Sequence, residues 1–128
     1  MCSSDLATER FYEMVHYHLG WIDEDGRPSS AASAMGKRIR PALTFLACES
    51  LGGTTDDARG AAAAVELVHN FSLVHDDIQD HSPTRRHRPT IWNRWGAEQA
   101  INVGDHIFTI AQLALTELGP VEIGRAHV

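Results

Sequence analysis

The stretch between Gly52-Gly53 and Pro83 constrains this chain more than any other. Thr54, Thr55, Asp56 and Asp57 offer oxygens suited to capping a helix. The apolar residues that follow, through Ala61–Ala64, Val65, Leu67, Val68, Phe71 and Val74, predict one long helix to about Asp80. Shorter helical patterns flank it. Phe11, Met14, Val15 and Leu19 share a face that ends near Gly20, and Asp23 to Gly36, with Gly26, Pro28 and small Ser and Ala residues, reads as a loop or flexible connection. A second helix is expected to open around Lys37, to accept Pro41 in its first turn, and to present Leu43, Leu46 and Ala47 on one side before Gly52-Gly53. Pro83 and Pro89 bracket a polar, basic loop; Thr90 then caps a last helix from Ile91 to about Leu118, with Gly119-Pro120 as its stop. Internal repeats are absent and strand signals nearly so, which makes the predicted class all-α.

Composition removes several function classes. A chain of 128 residues with 43 % hydrophobic and 22 % charged residues has room for one domain at most and is not a disordered tail. A net charge of −6 disfavours non-specific nucleic-acid binding. No apolar run approaches the ~20 residues that span a bilayer, and no secretory leader is evident. Cys2 and Cys48 provide neither a disulfide framework nor metal-ligand spacing, so a soluble cytoplasmic chain is expected, with Cys48 as plain core. The two ends stand apart. Cys2–Leu6 and Ile123–Val128 can be encoded by DNA words that are reverse complements of each other and resemble a sequencing-library adapter. Residues 1–6 and 122–128 are therefore expected to be scars, and 7–121 the informative, truncated N-terminal part of a domain.

Local preferences are broken where chemistry is expected. Asp76, Asp77 and Asp80 occupy the last turn of the long helix, where the helix dipole already concentrates negative charge, and Asp76 and Asp80 repel at i, i+4. His69 lies close to the same stripe. Carboxylates along one helix edge suit Mg²⁺, which takes one or two of them plus substrate phosphates, although Asp-Asp-x-x-Asp alone equally suits a solvated helix end. Six of the eleven basic residues crowd two windows, Lys37, Arg38 and Arg40 and then Arg85, Arg86 and Arg88. Lys37 and Arg40, at i, i+3, are expected to face the same way. Either window alone reads as a solvated charge run; beside the aspartates and apolar helices they imply a phosphorylated, partly apolar ligand.

Four motifs in order and register carry a more specific resemblance: Gly36-Lys37-Arg38-Ile39-Arg40-Pro41, the run from Val65 to Asp80, Arg85-Arg86 with Pro89-Thr90, and Gly104-Asp105. Together they resemble the N-terminal part of a trans-isoprenyl diphosphate synthase of the polyprenyl synthetase family. The resemblance implies a partial bundle of long helices around an apolar pocket, with a homodimeric parent protein. It implies that Asp76, Asp77 and Asp80 form an aspartate-rich motif that binds an allylic diphosphate through Mg²⁺, the first and last being the usual ligands. Lys37, Arg40 and His69 match an isopentenyl diphosphate site; Arg85 matches an arginine for the allylic diphosphate and Arg86 one for isopentenyl diphosphate. Asp76, Asp80, Arg85 and Lys37 are the expected catalytic group. His87 replaces the glycine usual after that arginine pair, which bears on the backbone shape of the loop. The family chemistry ionises the allylic diphosphate, joins the cation to isopentenyl diphosphate, and lengthens the chain by five carbons.

Phe71, with Ser72 beside it, stands where the family sets chain length, and the aspartate motif has no two-residue insertion. This pattern resembles geranylgeranyl-type synthases more than bacterial farnesyl ones. The family's second aspartate-rich motif does not occur in these 128 residues, so the chain by itself is expected to be inactive and to associate through exposed apolar faces. Other readings are a non-catalytic helical partner of a complete synthase, a terpene cyclase, and a metal phosphohydrolase built on His75-Asp76. Trp92 and Trp95 are expected only to pack, and Asp105 to be structural.

Overall fold

The computed structural model describes residues 3–30, 34 and 36–118. The elements run in the order α1 (Ser3–His18), α2 (Ile39–Ser50), α3 (Thr55–Gln79), β1 (Thr84–Arg85), β2 (Arg88–Pro89), α4 (Ile91–Trp95) and α5 (Ala97–Thr116). The class is all-α, as its periodicity predicts, with a two-residue hairpin as the only sheet among the described residues. The expected Gly119-Pro120 stop and the run 122–128 lie outside the described residues, and Ser3–Leu6 form the start of α1.

The chain divides into two compact units, Met1–Lys37 with Asn70–Ile107, and Arg38–His69 with Phe108–Val128. In the first, Met14, Val15 and Tyr17 of α1, Val74 of α3, Ile91 of α4 and Ala100, Val103 and Ile107 of α5 are buried. Gly104 belongs to this packing. A Cβ there would collide with the His75 ring, so only glycine leaves the imidazole its place against α5. Among the described residues of the second unit the buried side chains are small: Ala58, Ala62 and Ala64 of α3 and Ala111 of α5. A Cβ on Gly60 would lie 2.8 Å from the Ala114 carbonyl, so the two backbones approach closely at that point. Cys48 is half-buried rather than core, and its thiol donates to the Thr54 carbonyl at 3.6 Å.

The predicted cap of α3 forms as a reciprocal pair. Asp57 N–H donates to Thr54 Oγ1 at 3.3 Å and Thr54 N–H donates to Asp57 Oδ2 at 2.8 Å. Those hydrogen bonds favour the ionised carboxylate and hold Asp57 below its ordinary pKa.

Four local expectations need correction. The last helix is two helices, because Gly96 at φ 92 leaves the helical region between α4 and α5. The basic loop is a hairpin, in register Thr84↔Pro89 and Arg85↔Arg88. Thr90 makes no side-chain cap for α4; its hydroxyl donates instead to the Ser82 carbonyl at 2.8 Å, closing the loop behind the aspartates. Lys37 precedes α2, which begins at Ile39 after a left-handed Arg38 at φ 47, so helical spacing does not align Lys37 with Arg40.

Candidate functional site

Asp76, Asp77 and Asp80 leave the end of α3 in two directions. Asp76 and Asp80 are exposed, whereas Asp77 is 3 % exposed and turned inward. Helical geometry accounts for the split, since positions four apart lie about 40° from each other and the residue after the first is displaced by about 100°. Among the described residues neither exposed carboxylate has a side-chain partner, while Asp77 is gripped by Arg85. Arg85 Nε–H donates to Oδ1 and Oδ2 at 3.0 Å each, and Nη2–H to Oδ1 at 2.8 Å.

The hairpin delivers Arg85 to this position. Arg86 at φ 53 and His87 at φ 62 form a two-residue connection with both residues left-handed, reversing the chain directly after Arg85. Trp92 Nε1–H donates to the Ser82 carbonyl at 2.8 Å and Asn93 Nδ2 to that of Pro83 at 3.1 Å, so α4 pins the approach to the hairpin. Trp92 thus does more than pack.

The other arginines of the hairpin are also tied down. Arg86 Nη1–H donates to the Ala34 carbonyl at 3.1 Å, and its guanidinium lies where a Cβ on Gly36 would come within 3.0 Å, so Gly36, at φ 72, admits it against the segment leading to Lys37. Arg88 Nη2–H reaches the Ile22 carbonyl at 2.7 Å and its guanidinium covers the Tyr17 ring at 4.0 Å, whose hydroxyl donates to the Pro89 carbonyl at 2.7 Å. The loop that receives Arg88 is itself ordered, because Asp23 Oδ1 accepts from the Asp25 and Arg27 amides at 2.9 Å each. The connection after Asp23 is therefore structured as far as Ser29, whose amide returns to the Trp21 carbonyl at 2.9 Å.

His18 was not selected from the sequence. It sits among these arginines, and its Nε2–H donates to Oδ1 of the buried Asn70 at 3.1 Å. Burial first, and then the Arg86 charge, lower its pKa from 6.5 to about 3, against the opposing pull of Asn70. A neutral imidazole therefore stands beside the cationic hairpin. Its only sequence signal was position, one turn past the buried Met14 and Val15.

The remaining site residues are distributed as follows. Lys37 is exposed in the first unit; Arg40, exposed in the first turn of α2, and the half-buried His69 of α3 belong to the second. Half-buried Phe71 meets the His75 ring edge-on at 5.1 Å, and Ser72 beside it is also half-buried. His75 Nε2 lies 3.3 Å from the Ile101 carbonyl and 3.5 Å from Asp105 Oδ1, directed at α5, which gives Asp105 a structural partner and draws the imidazole away from a shared ligand role with Asp76. Among the described residues no three His, Cys, Asp or Glu converge as a ready-made metal cage. Two exposed carboxylates on one helix edge nevertheless fit Mg²⁺, a hard cation that keeps waters and takes phosphate oxygens for its other positions.

The polyprenyl synthetase family model matches residues 27–126. The chain belongs to the polyprenyl synthetase family. It is 48 % identical over 123 residues to the (2E,6E)-farnesyl diphosphate synthase of Mycobacterium tuberculosis (strain ATCC 25618 / H37Rv), covering 96 % of this chain and 34 % of that protein. It is 49 % identical over 105 residues to the geranylgeranyl diphosphate synthase of the same organism, covering 82 % and 29 %. The crystal structure of the polyprenyl synthetase from Streptomyces coelicolor A3(2) superposes with a TM-score of 0.77 at 45 % identity, over 96 % of this chain and 39 % of that one. This polyprenyl synthetase sequence thus spans about a third of the length of these curated relatives. The helices have the isoprenoid synthase fold, and none of the described ones is long and apolar enough to cross a membrane.

Proposed function

We propose that this chain is the N-terminal part, carrying the first aspartate-rich side of the metal site, of a trans-prenyltransferase that condenses isopentenyl diphosphate with an allylic diphosphate to a short-chain isoprenyl diphosphate. The observation that carries the reading is the pair of exposed carboxylates of Asp76 and Asp80, without a side-chain partner among the described residues, beside an arginine hairpin, in a family whose similar members are named for this chemistry. Asp76 and Asp80 would hold Mg²⁺, which when bound neutralises charge on the departing pyrophosphate. Arg85 donates hydrogen bonds to the allylic diphosphate, while Lys37, Arg40, His69 and Arg86 take isopentenyl diphosphate. Apolar helix faces keep water from the allylic cation. Phe71 and Ser72 set the chain length; relatives named for farnesyl and for geranylgeranyl products match about equally, so the product belongs to that size range. The complete protein is proposed to act as a homodimer in the cytoplasm.

Calorimetric titration of geranyl diphosphate into the chain tests the reading. Binding is expected with Mg²⁺, to be lost with EDTA, and to weaken at least tenfold in Asp76→Asn. In the complete protein the same substitution should slow incorporation of labelled isopentenyl diphosphate by roughly a hundredfold or more. Absence of Mg²⁺-dependent binding by the wild-type chain, together with an unimpaired complete Asp76→Asn protein, would sink the proposal.

A further inference from the structure

The contacts of Asp77 separate it from its two neighbours in the aspartate motif. Its carboxylate is 3 % exposed and both oxygens are occupied by one edge of the Arg85 guanidinium. An arginine has five N–H groups in a rigid plane, and this pairing uses Nε–H and one Nη2–H. Three N–H groups remain, along the Nη1/Nη2 end, in an orientation fixed by Asp77. A lysine could not be held in this way, because an ammonium has no plane to orient. The backbone completes the constraint: Arg85 pairs with Arg88 across the hairpin, and Arg88 is itself anchored on the Ile22 carbonyl.

We propose that Asp77 is a positioning residue that orients the Arg85 guanidinium for a diphosphate, leaving cation contact to Asp76 and Asp80. The inference deepens the functional reading above and rests on it. Removing Asp77 should weaken anion binding without weakening cation binding, the opposite of what loss of a metal ligand does.

The test compares wild type, Asp77→Asn, Asp76→Asn and Arg85→Lys in the whole 128-residue chain, with Mg²⁺ alone and inorganic pyrophosphate as probes. The Arg85 Nε–H resonance is followed by NMR. In Asp77→Asn, Mg²⁺ affinity should stay within about twofold of wild type, pyrophosphate affinity should fall roughly tenfold, and the Nε–H signal should shift and exchange faster. Arg85→Lys keeps both charges and loses the fork, so it should reproduce the pyrophosphate loss with Mg²⁺ affinity retained, and it serves if Asp77→Asn does not fold. Asp76→Asn should lose Mg²⁺ affinity. The proposal is overturned if Asp77→Asn loses Mg²⁺ affinity as Asp76→Asn does, or if pyrophosphate affinity is unchanged in Asp77→Asn and Arg85→Lys. A wild-type chain that binds neither probe overturns the functional reading and this proposal with it; a wild type that binds both, with failure only in the Asp77 and Arg85 variants, overturns this proposal alone.

Discussion

His87 holds a left-handed backbone, φ 62, directly after Arg86 at φ 53, and neither residue is a glycine. Such a conformation costs an L-residue roughly 1–2 kcal/mol, part of which a glycine would lose again to the entropy of its unfolded chain. His87→Gly is therefore expected to stabilise the fold by up to about 1 kcal/mol, read as a rise in the denaturant midpoint without a change in slope. The strain sits beside Arg85, so the hairpin bears it where the guanidinium is aimed. His18 yields a pH prediction. Its folded pKa is lowered to about 3 from 6.5, so between those values the unfolded chain binds the proton and the folded chain does not. The His18 contribution is complete above pH 6.5 and declines as pH falls below it, by at most about 1.4 kcal/mol per unit. The Tm of wild type should fall more steeply from neutral pH to about pH 4.5 than that of His18→Gln, whose amide can still donate to Asn70. Parallel slopes in the two proteins would remove His18 as the source.

At the scale of elements, two glycines do different work on the same pair of helices. Gly104 makes room for the end of a side chain, the His75 ring, which could swing aside at the cost of its contact with the Ile101 carbonyl. Gly60 faces backbone, the Ala114 carbonyl, at a distance where a Cβ would stand only 2.8 Å away. Backbone cannot rotate out of the way, so Gly60→Ala should force the local helix contact apart and cost about 1–3 kcal/mol, despite alanine's better helix propensity. Equilibrium unfolding checks this, and a stabilised Gly60→Ala would show that the local contact relaxes freely. The period of α3 was legible because a helix's apolar residues recur in sequence, and its Thr54–Asp57 cap because capping partners lie three residues apart. The hairpin was not legible: two residues per strand leave no alternation to detect, and Arg86-His87 has none of the glycine or asparagine that signals such a turn.

At the scale of the whole molecule, α2 contains no buried residue, and Leu43 and Leu46 on its face are 60 % and 61 % exposed. Apolar side chains grouped on one helix promote association. The 128-residue chain is expected to bind a hydrophobic dye and to elute above its monomer mass of 14.1 kDa in a concentration-dependent way. Leu43→Glu combined with Leu46→Glu should reduce both effects; a monomer that is indifferent to the double substitution would show that another surface is responsible.

The all-α class, the long helix α3 with its acidic end, and the two basic windows along the chain were determined by the sequence alone, because periodicity, caps and charge spacing are properties of neighbours along the chain. Tertiary structure decided the use of each group. It buried Asp77 against Arg85 while leaving Asp76 and Asp80 exposed, engaged Arg86 and Arg88 with backbone carbonyls, and placed a neutral His18 among them. Three aspartates and three arginines are interchangeable as letters. They become distinct only when folding sets which of them loses water and which fixed partner replaces it.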